Sequence, residues 1–190
     1  MYLGRLKHHL LAVTVTLLAA CDDLNFSDNA PNKDLKVVII RHAEKSKDGD
    51  NLSCQGQNRA LQLANVLHQK IGMPIYTYVP ALKLDKVTKH SRMFQTVTPF
   101  AVKYDLSING KYAVDDYKNV AKSVFKKNGT VLMVWSHAEI TNLASTLGVE
   151  DAPTWNDADF DGMWIITYPN GKALLTLDSE GLHPQLNCSF

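Results

Sequence analysis

Lys36-Val-Val-Ile-Ile-Arg-His42 is the stretch that decides the reading of this chain. Val37 to Ile40 is an unbroken run of apolar, β-branched side chains. A strand with no polar face must be buried on both sides, as central strands of parallel sheets are. The run leads straight into Arg41-His42-Ala43-Glu44-Lys45. A second run of the same kind, Thr130-Val-Leu-Met-Val-Trp135, leads into Ser136-His137-Ala138-Glu139. Ligands of open α/β sheets bind at the carboxyl ends of the strands. The two histidines are therefore candidates for one pocket.

Helical spacing surrounds these strands. Gln55–Lys70 sets Ala60, Leu61, Ala64 and Leu67 on one side and ends at Gly72 and Pro74. Ser91–Tyr104 does the same with Phe94, Val97 and Ala101. Asp115–Lys126 is a third helix, stopped by Asn128-Gly129, and Ala138–Leu147 a fourth, closed by Gly148. Ile75–Val79 is a further strand. Met163–Tyr168 and Ala173–Leu177 read as a hairpin turning at Pro169-Asn170-Gly171. Strands alternating with helices predict a three-layer α/β fold, with a mainly parallel sheet and helices on both faces.

An Arg-His pair after a buried strand suggests an anion site beside a nucleophile. Arginine holds phosphate with a planar fork of donors. A neutral imidazole can attack phosphorus and carry it covalently. Fixed positive donors around the phosphoryl oxygens make a metal unnecessary for such chemistry. Arg92 is a further donor candidate, because Ser91-Arg92 opens a helix. Other chemistries lack their motifs: no His-Glu-x-x-His, Gly-x-Ser-x-Gly, Walker loop or Gly-x-Gly-x-x-Gly occurs. His137-Ala-Glu139 has the His-x-Glu of zinc deaminases, but no Pro-Cys-x-x-Cys follows. Asp157, Asp159 and Asp161 read as a turn before a strand. No metal and no organic cofactor are expected.

Four segments, in order, resemble the histidine phosphatase superfamily, the phosphoglycerate mutase-like proteins. They are Val37–Glu44, Leu52–Ala60, Ser91–Thr96 and Val131–His137. The resemblance covers roughly residues 36 to 177. It implies that His42 is the nucleophile and that Arg41, Arg92 and His137 bind the phosphoryl group. It implies Glu139 as the general acid, with Glu44 the alternative. Lys89 and His90 are not part of the family pattern and are possible substrate contacts. The function implied is a metal-independent phosphatase acting on a phosphomonoester through a phosphohistidine. A catalytically inactive phosphoryl-binding lipoprotein is the alternative, and a phosphomutase fits less well, because few residues separate Arg92 from His137. Specificity is expected from the loops at 45–53, 80–90 and 150–162.

The beginning of the chain reads differently. Arg5 and Lys7 precede an uncharged run over Leu10–Ala20, too short to span a bilayer as a helix. Residues 1–20 fit a lipoprotein-type signal peptide, because Leu18-Ala19-Ala20-Cys21 resembles a lipobox. Cys21 would then carry the lipid, 21–35 would be a polar tether, and 36–190 the catalytic domain. The expected setting is a bacterial cell envelope, with the chain lipid-anchored and facing the periplasm. Removing 1–20 takes away two basic residues and no acid, turning the net charge from +1 to −1. Nothing in such a balance suggests a polyanion-binding surface, so no nucleic-acid partner is expected. In an oxidising compartment the remaining Cys54 and Cys188 could pair, tying the C-terminal tail to the loop near residue 54. The expected partners are a small phosphorylated substrate and the membrane.

Overall fold

The computed structural model describes residues 30–84 and 88–188. The signal peptide read over 1–20, Cys21 and the tether up to residue 29 lie outside the described residues. The elements, in chain order, are β1 (Lys36–Arg41), α1 (Cys54–Ile71), β2 (Tyr76–Tyr78), α2 (Ser91–Tyr104), β3 (Ile108–Asn109), α3 (Tyr117–Val124), β4 (Thr130–Trp135), α4 (His137–Thr146), β5 (Gly162–Thr167) and β6 (Leu174–Ser179). Six strands form one sheet in the order β3-β2-β4-β1-β5-β6. β3, β2, β4 and β1 run parallel, and the β5–β6 hairpin closes the edge antiparallel. This is the three-layer α/β arrangement that the sequence pattern implies.

The side-chain period of a strand divides the core in two. Val38, Ile40, Leu132 and Val134 point to one face and meet Leu63, Leu67, Val97 and Phe100 of α1 and α2. Val37, Ile39, Val131 and Met133 point to the other and meet Val120, Val124, Ile140 and Leu143 of α3 and α4. Every residue of β1 and β4 after the first is buried. That is why neither strand shows alternation in its sequence.

Two boundaries differ in ways that matter below. α4 begins at His137 rather than Ala138, because Ser136 occupies the N-cap position. Cys54 lies in the first turn of α1, not in a loop. Ser53 caps that helix, its Oγ accepting the Gly56 N–H at 3.1 Å. Among the described residues, no helix is long and apolar enough to cross a membrane.

Candidate active site

β1 and β4 are adjacent and in register, with Arg41 opposite Trp135. Their carboxyl ends therefore deliver His42 and His137 side by side, the ring centroids 6.5 Å apart and edge-on. His42 is buried, and its Nδ1 lies 2.8 Å from the Ala43 carbonyl. A carbonyl only accepts, so Nδ1 carries the proton and Nε2 keeps a free lone pair. Burial pushes the His42 pKa down to about 4, against the Ala43 hydrogen bond. Arg92, Arg41 and His137 lower it further. His42 is thus a neutral imidazole at neutral pH.

Arg41 is held in place by the loop before β5. Its Nη1 donates to the Asp157 carbonyl at 2.7 Å and the Asp159 carbonyl at 2.9 Å. Its guanidinium carbon sits 3.7 Å above the Phe160 ring. Burial draws the Arg41 pKa down to about 10, which leaves it charged at neutral pH. Arg92, in the first turn of α2, has Nη1 3.6 Å from Asp50 Oδ1. Thr96 joins α2 to the β1 end: its Oγ1 accepts the Ala43 N–H and donates to the Arg92 carbonyl. His137 Nε2 lies 3.5 Å from Asp157 Oδ1. Burial and the Arg41 charge lower the His137 pKa, and Asp157 opposes them.

Three nitrogens in this cluster are buried without a hydrogen-bond partner: Arg41 Nε, Arg92 Nε and His137 Nδ1. A buried donor left unpaired costs about 1–3 kcal/mol. Three of them, on residues that feel one another's charge, mark a place shaped for a multivalent oxygen acceptor.

No protein-family model matches the chain, and no curated protein sequence matches it. Solved structures do match it in shape. The protein histidine phosphatase SixA, complexed with tungstate, superposes with a TM-score of 0.58 at 15% identity, covering 76% of this chain and 97% of that chain. A phosphoserine phosphatase mutant from Entamoeba histolytica, in complex with phosphoserine, gives 0.54 at 14% identity, covering 77% and 98%. A mycobacterial glucosyl-3-phosphoglycerate phosphatase with inorganic phosphate gives 0.52 at 12% identity, covering 78% and 99%. The fold is phosphoglycerate mutase-like.

Within this fold the structure gathers His42, Arg41, Arg92 and His137 into one site and sends the two glutamates elsewhere. Glu44 is buried in an ion pair, with Arg59 Nε and Nη2 donating to its carboxylate at 2.9 to 3.1 Å. That pairing directs its carboxylate to Arg59. Glu139 sits two residues after His137 on α4, so the two side chains leave the helix on opposite sides. Its carboxylate accepts the Tyr117 hydroxyl of α3. Lys89 and His90 lie apart from the cluster, beyond the end of β2. Lys89 pairs with Lys83 across a short antiparallel bridge, and His90 Nδ1 is 3.3 Å from the Ala81 carbonyl. Cys54 and Cys188 are joined in a disulfide. Among the described residues, no group of three or more His, Cys, Asp or Glu side chains is arranged to hold a metal ion.

Sequence reading missed Asp157, Phe160 and Thr96. The turn it saw at 157–161 is present, with Asp159 Oδ1 accepting the Asp161 and Gly162 N–H groups. What no local pattern shows is that the carbonyls of this turn hold Arg41 from more than a hundred residues away. The nearest signal was the aromatic at 160 among three acids.

Proposed function

We propose that this protein is a phosphatase that hydrolyses a phosphomonoester through a phosphohistidine at His42. The observation that carries the reading is the set of three unpartnered buried donors around a neutral histidine with a free Nε2. Arg41 Nε, Arg92 Nε and His137 Nδ1, with the His137 proton on Nδ1, would each donate one hydrogen bond to the phosphoryl oxygens, and they would hold the charge that builds there in the transition state. His42 Nε2 attacks phosphorus. The N–P bond forms as the ester P–O bond breaks, and the leaving oxygen takes a proton. Water then attacks the phosphohistidine, the N–P bond breaks, and inorganic phosphate leaves. The Asp157 carboxyl group lies 3.5 Å from His137, and we assign it the leaving-group proton in place of Glu139.

Phosphoserine and phosphate in two of the solved neighbours are the kind of ligand this site would take. The test is hydrolysis of an aryl phosphate by the chain from Asp22 onward, with EDTA present, beside His42→Ala. Turnover that disappears in the variant supports the reading. The second reading is a phosphoryl-binding protein without turnover, favoured by the engagement of both Glu44 and Glu139. Phosphate binding by folded protein that hydrolyses nothing would select it. We further propose that Cys21 is the lipidated first residue of the mature protein, which the basic leader and lipobox support. The domain would then face the periplasm, held by its acyl chains.

A further inference from the structure

A cavity of about 620 Å³ lies beyond the end of β2, and the mechanism above makes no use of it. Sheet register fixes its position. Tyr78 of β2 lies opposite Met133 of β4, which lies opposite Ile39 of β1. Ala81, Ser136 and His42 follow three residues later in their segments, so the cavity lies at the same carboxyl end of the sheet as His42. Its opposite wall is tied to the same sheet end, because Trp135 Nε1 donates to the Val114 carbonyl at 2.9 Å. α2 bounds it through His90, two residues before Arg92.

The lining combines the apolar Leu82 and Val114 with the charged Lys83, Lys89 and Asp115. The two lysines are held face to face. Each N–H donates to the other's carbonyl, at 3.0 and 3.3 Å, so both side chains leave the same side of the bridge. Like charges directly opposite in a ladder repel and destabilise it. The backbone accepts that cost at the rim of a cavity, where an anion between the two ammonium groups would reverse its sign. His90 is also constrained, with a left-handed backbone at φ 64° and its ring against the Ala81 carbonyl.

Building on the reading of the His42 cluster as a phosphoryl site, we infer that this cavity receives the leaving group of the substrate and that Lys83 and Lys89 select one bearing a second anionic group. The substrate class is a phosphomonoester of a compact organic acid. Its apolar body lies against Leu82 and Val114, and its carboxylate or second phosphate lies between the lysines. Asp115, on the facing wall, rejects leaving groups whose charge projects the other way.

The test compares phenyl phosphate with 4-carboxyphenyl phosphate on the protein purified in detergent and on Lys83→Gln/Lys89→Gln. The quantity read is the ratio of the two kcat/KM values. The expected ratio is about tenfold in favour of the carboxylate in the parent, the scale of one charge-assisted hydrogen bond. In the double variant it collapses to near one. A parent ratio near one overturns the inference, as does a preference that survives the double replacement. If neither ester is hydrolysed, the phosphatase reading fails. Calorimetric binding of phenylphosphonate and 4-carboxyphenylphosphonate then decides the cavity alone. A preference for the carboxylated phosphonate that the double variant loses sustains the inference, and equal affinities end it.

Discussion

At the scale of single residues, the site depends on a histidine kept neutral by its surroundings. On the proposed mechanism His42 must lose its proton before it can attack, and its pKa of about 4 would set the acid limb of kcat/KM. Arg92 is one of the charges that lower that pKa. Arg92→Gln should therefore move the limb to higher pH, besides lowering the rate. The shift between the two proteins reads the histidine, since the substrate's own ionisation is common to both. An unshifted limb would separate the profile from His42. A second prediction concerns the proton donor. Asp157→Asn should slow an alkyl phosphate by about tenfold or more while sparing 4-nitrophenyl phosphate, whose leaving group needs no proton. Glu139→Gln should move neither rate by more than about twofold, because its carboxylate serves Tyr117. The opposite pattern would return the acid role to Glu139. The difference between the expectation at Glu139 and its observed surroundings has a simple physical origin. His137 stands inside α4, not before it, and one residue of helix boundary decides which way a side chain two positions on will point.

At the scale of elements, α1 is fastened to the carboxyl end of β1 by a buried cluster of four ionisable groups. Arg59 of α1 donates to Glu44, to Asp161 Oδ1 at 3.0 Å and to Glu180 Oε2 at 2.6 Å. Burial alone would lower the Arg59 pKa; the bonds and charges of Glu44 and Glu180 outweigh it and keep the guanidinium charged. Three carboxylates share this one cation. Glu180, the most deeply buried, has its pKa pushed up to about 8 by desolvation, against the pull of Arg59. The folded state thus holds a proton that the unfolded chain releases near pH 4.5, and stability falls as pH rises from there to about 8. His42 acts in the opposite sense and lower down, adding stability as pH rises from about 4 to 6.5. Urea unfolding at pH 6.5 and pH 8 isolates the glutamate. Glu180→Gln should lose less stability over that interval than the parent, by about 1 kcal/mol or more. An identical loss would show that Glu180 is ionised throughout. Gly56 completes the junction, since a Cβ there would strike the Glu44 carbonyl. The elements themselves were legible where burial is two-sided, as in β1 and β4, or where period and breakers agree, as in α2, whose bounds the sequence places at the same residues. β3 was not: it is two residues long, half-buried, and exists because β2 offers it an edge. The Arg59 cluster was equally hidden, since its members lie on four separate segments with nothing local to link them.

For the whole molecule, the question is what holds its C-terminal tail. After β6 the chain returns across the amino end of α1. Asp161 accepts the N–H groups of Gly181 and Leu182, and Asn58 Nδ2 donates to the carbonyls of Gln185 and Asn187. The Cys54–Cys188 disulfide lies at the end of this path, bridging 134 residues of sequence with the Cα atoms 4.6 Å apart. Its contribution acts chiefly on the unfolded chain, whose freedom a closed loop of this length restricts. The native tail has other fastenings, so Cys188→Ser should keep the fold and lose about 2–4 kcal/mol of stability. A reductant should lower the melting temperature of the parent to about that of the variant and leave the variant unmoved. The same strap also bears on the site. It holds the first turn of α1, where Ser53 donates to the Glu44 carbonyl, two residues from His42. If this path positions the nucleophile, the variant's kcat/KM should fall sharply at temperatures well below global unfolding, and phosphate should restore it by binding the ordered form. A variant that is less stable but keeps parental kcat/KM up to its own unfolding transition would confine the disulfide to stability and sever the tail from the chemistry.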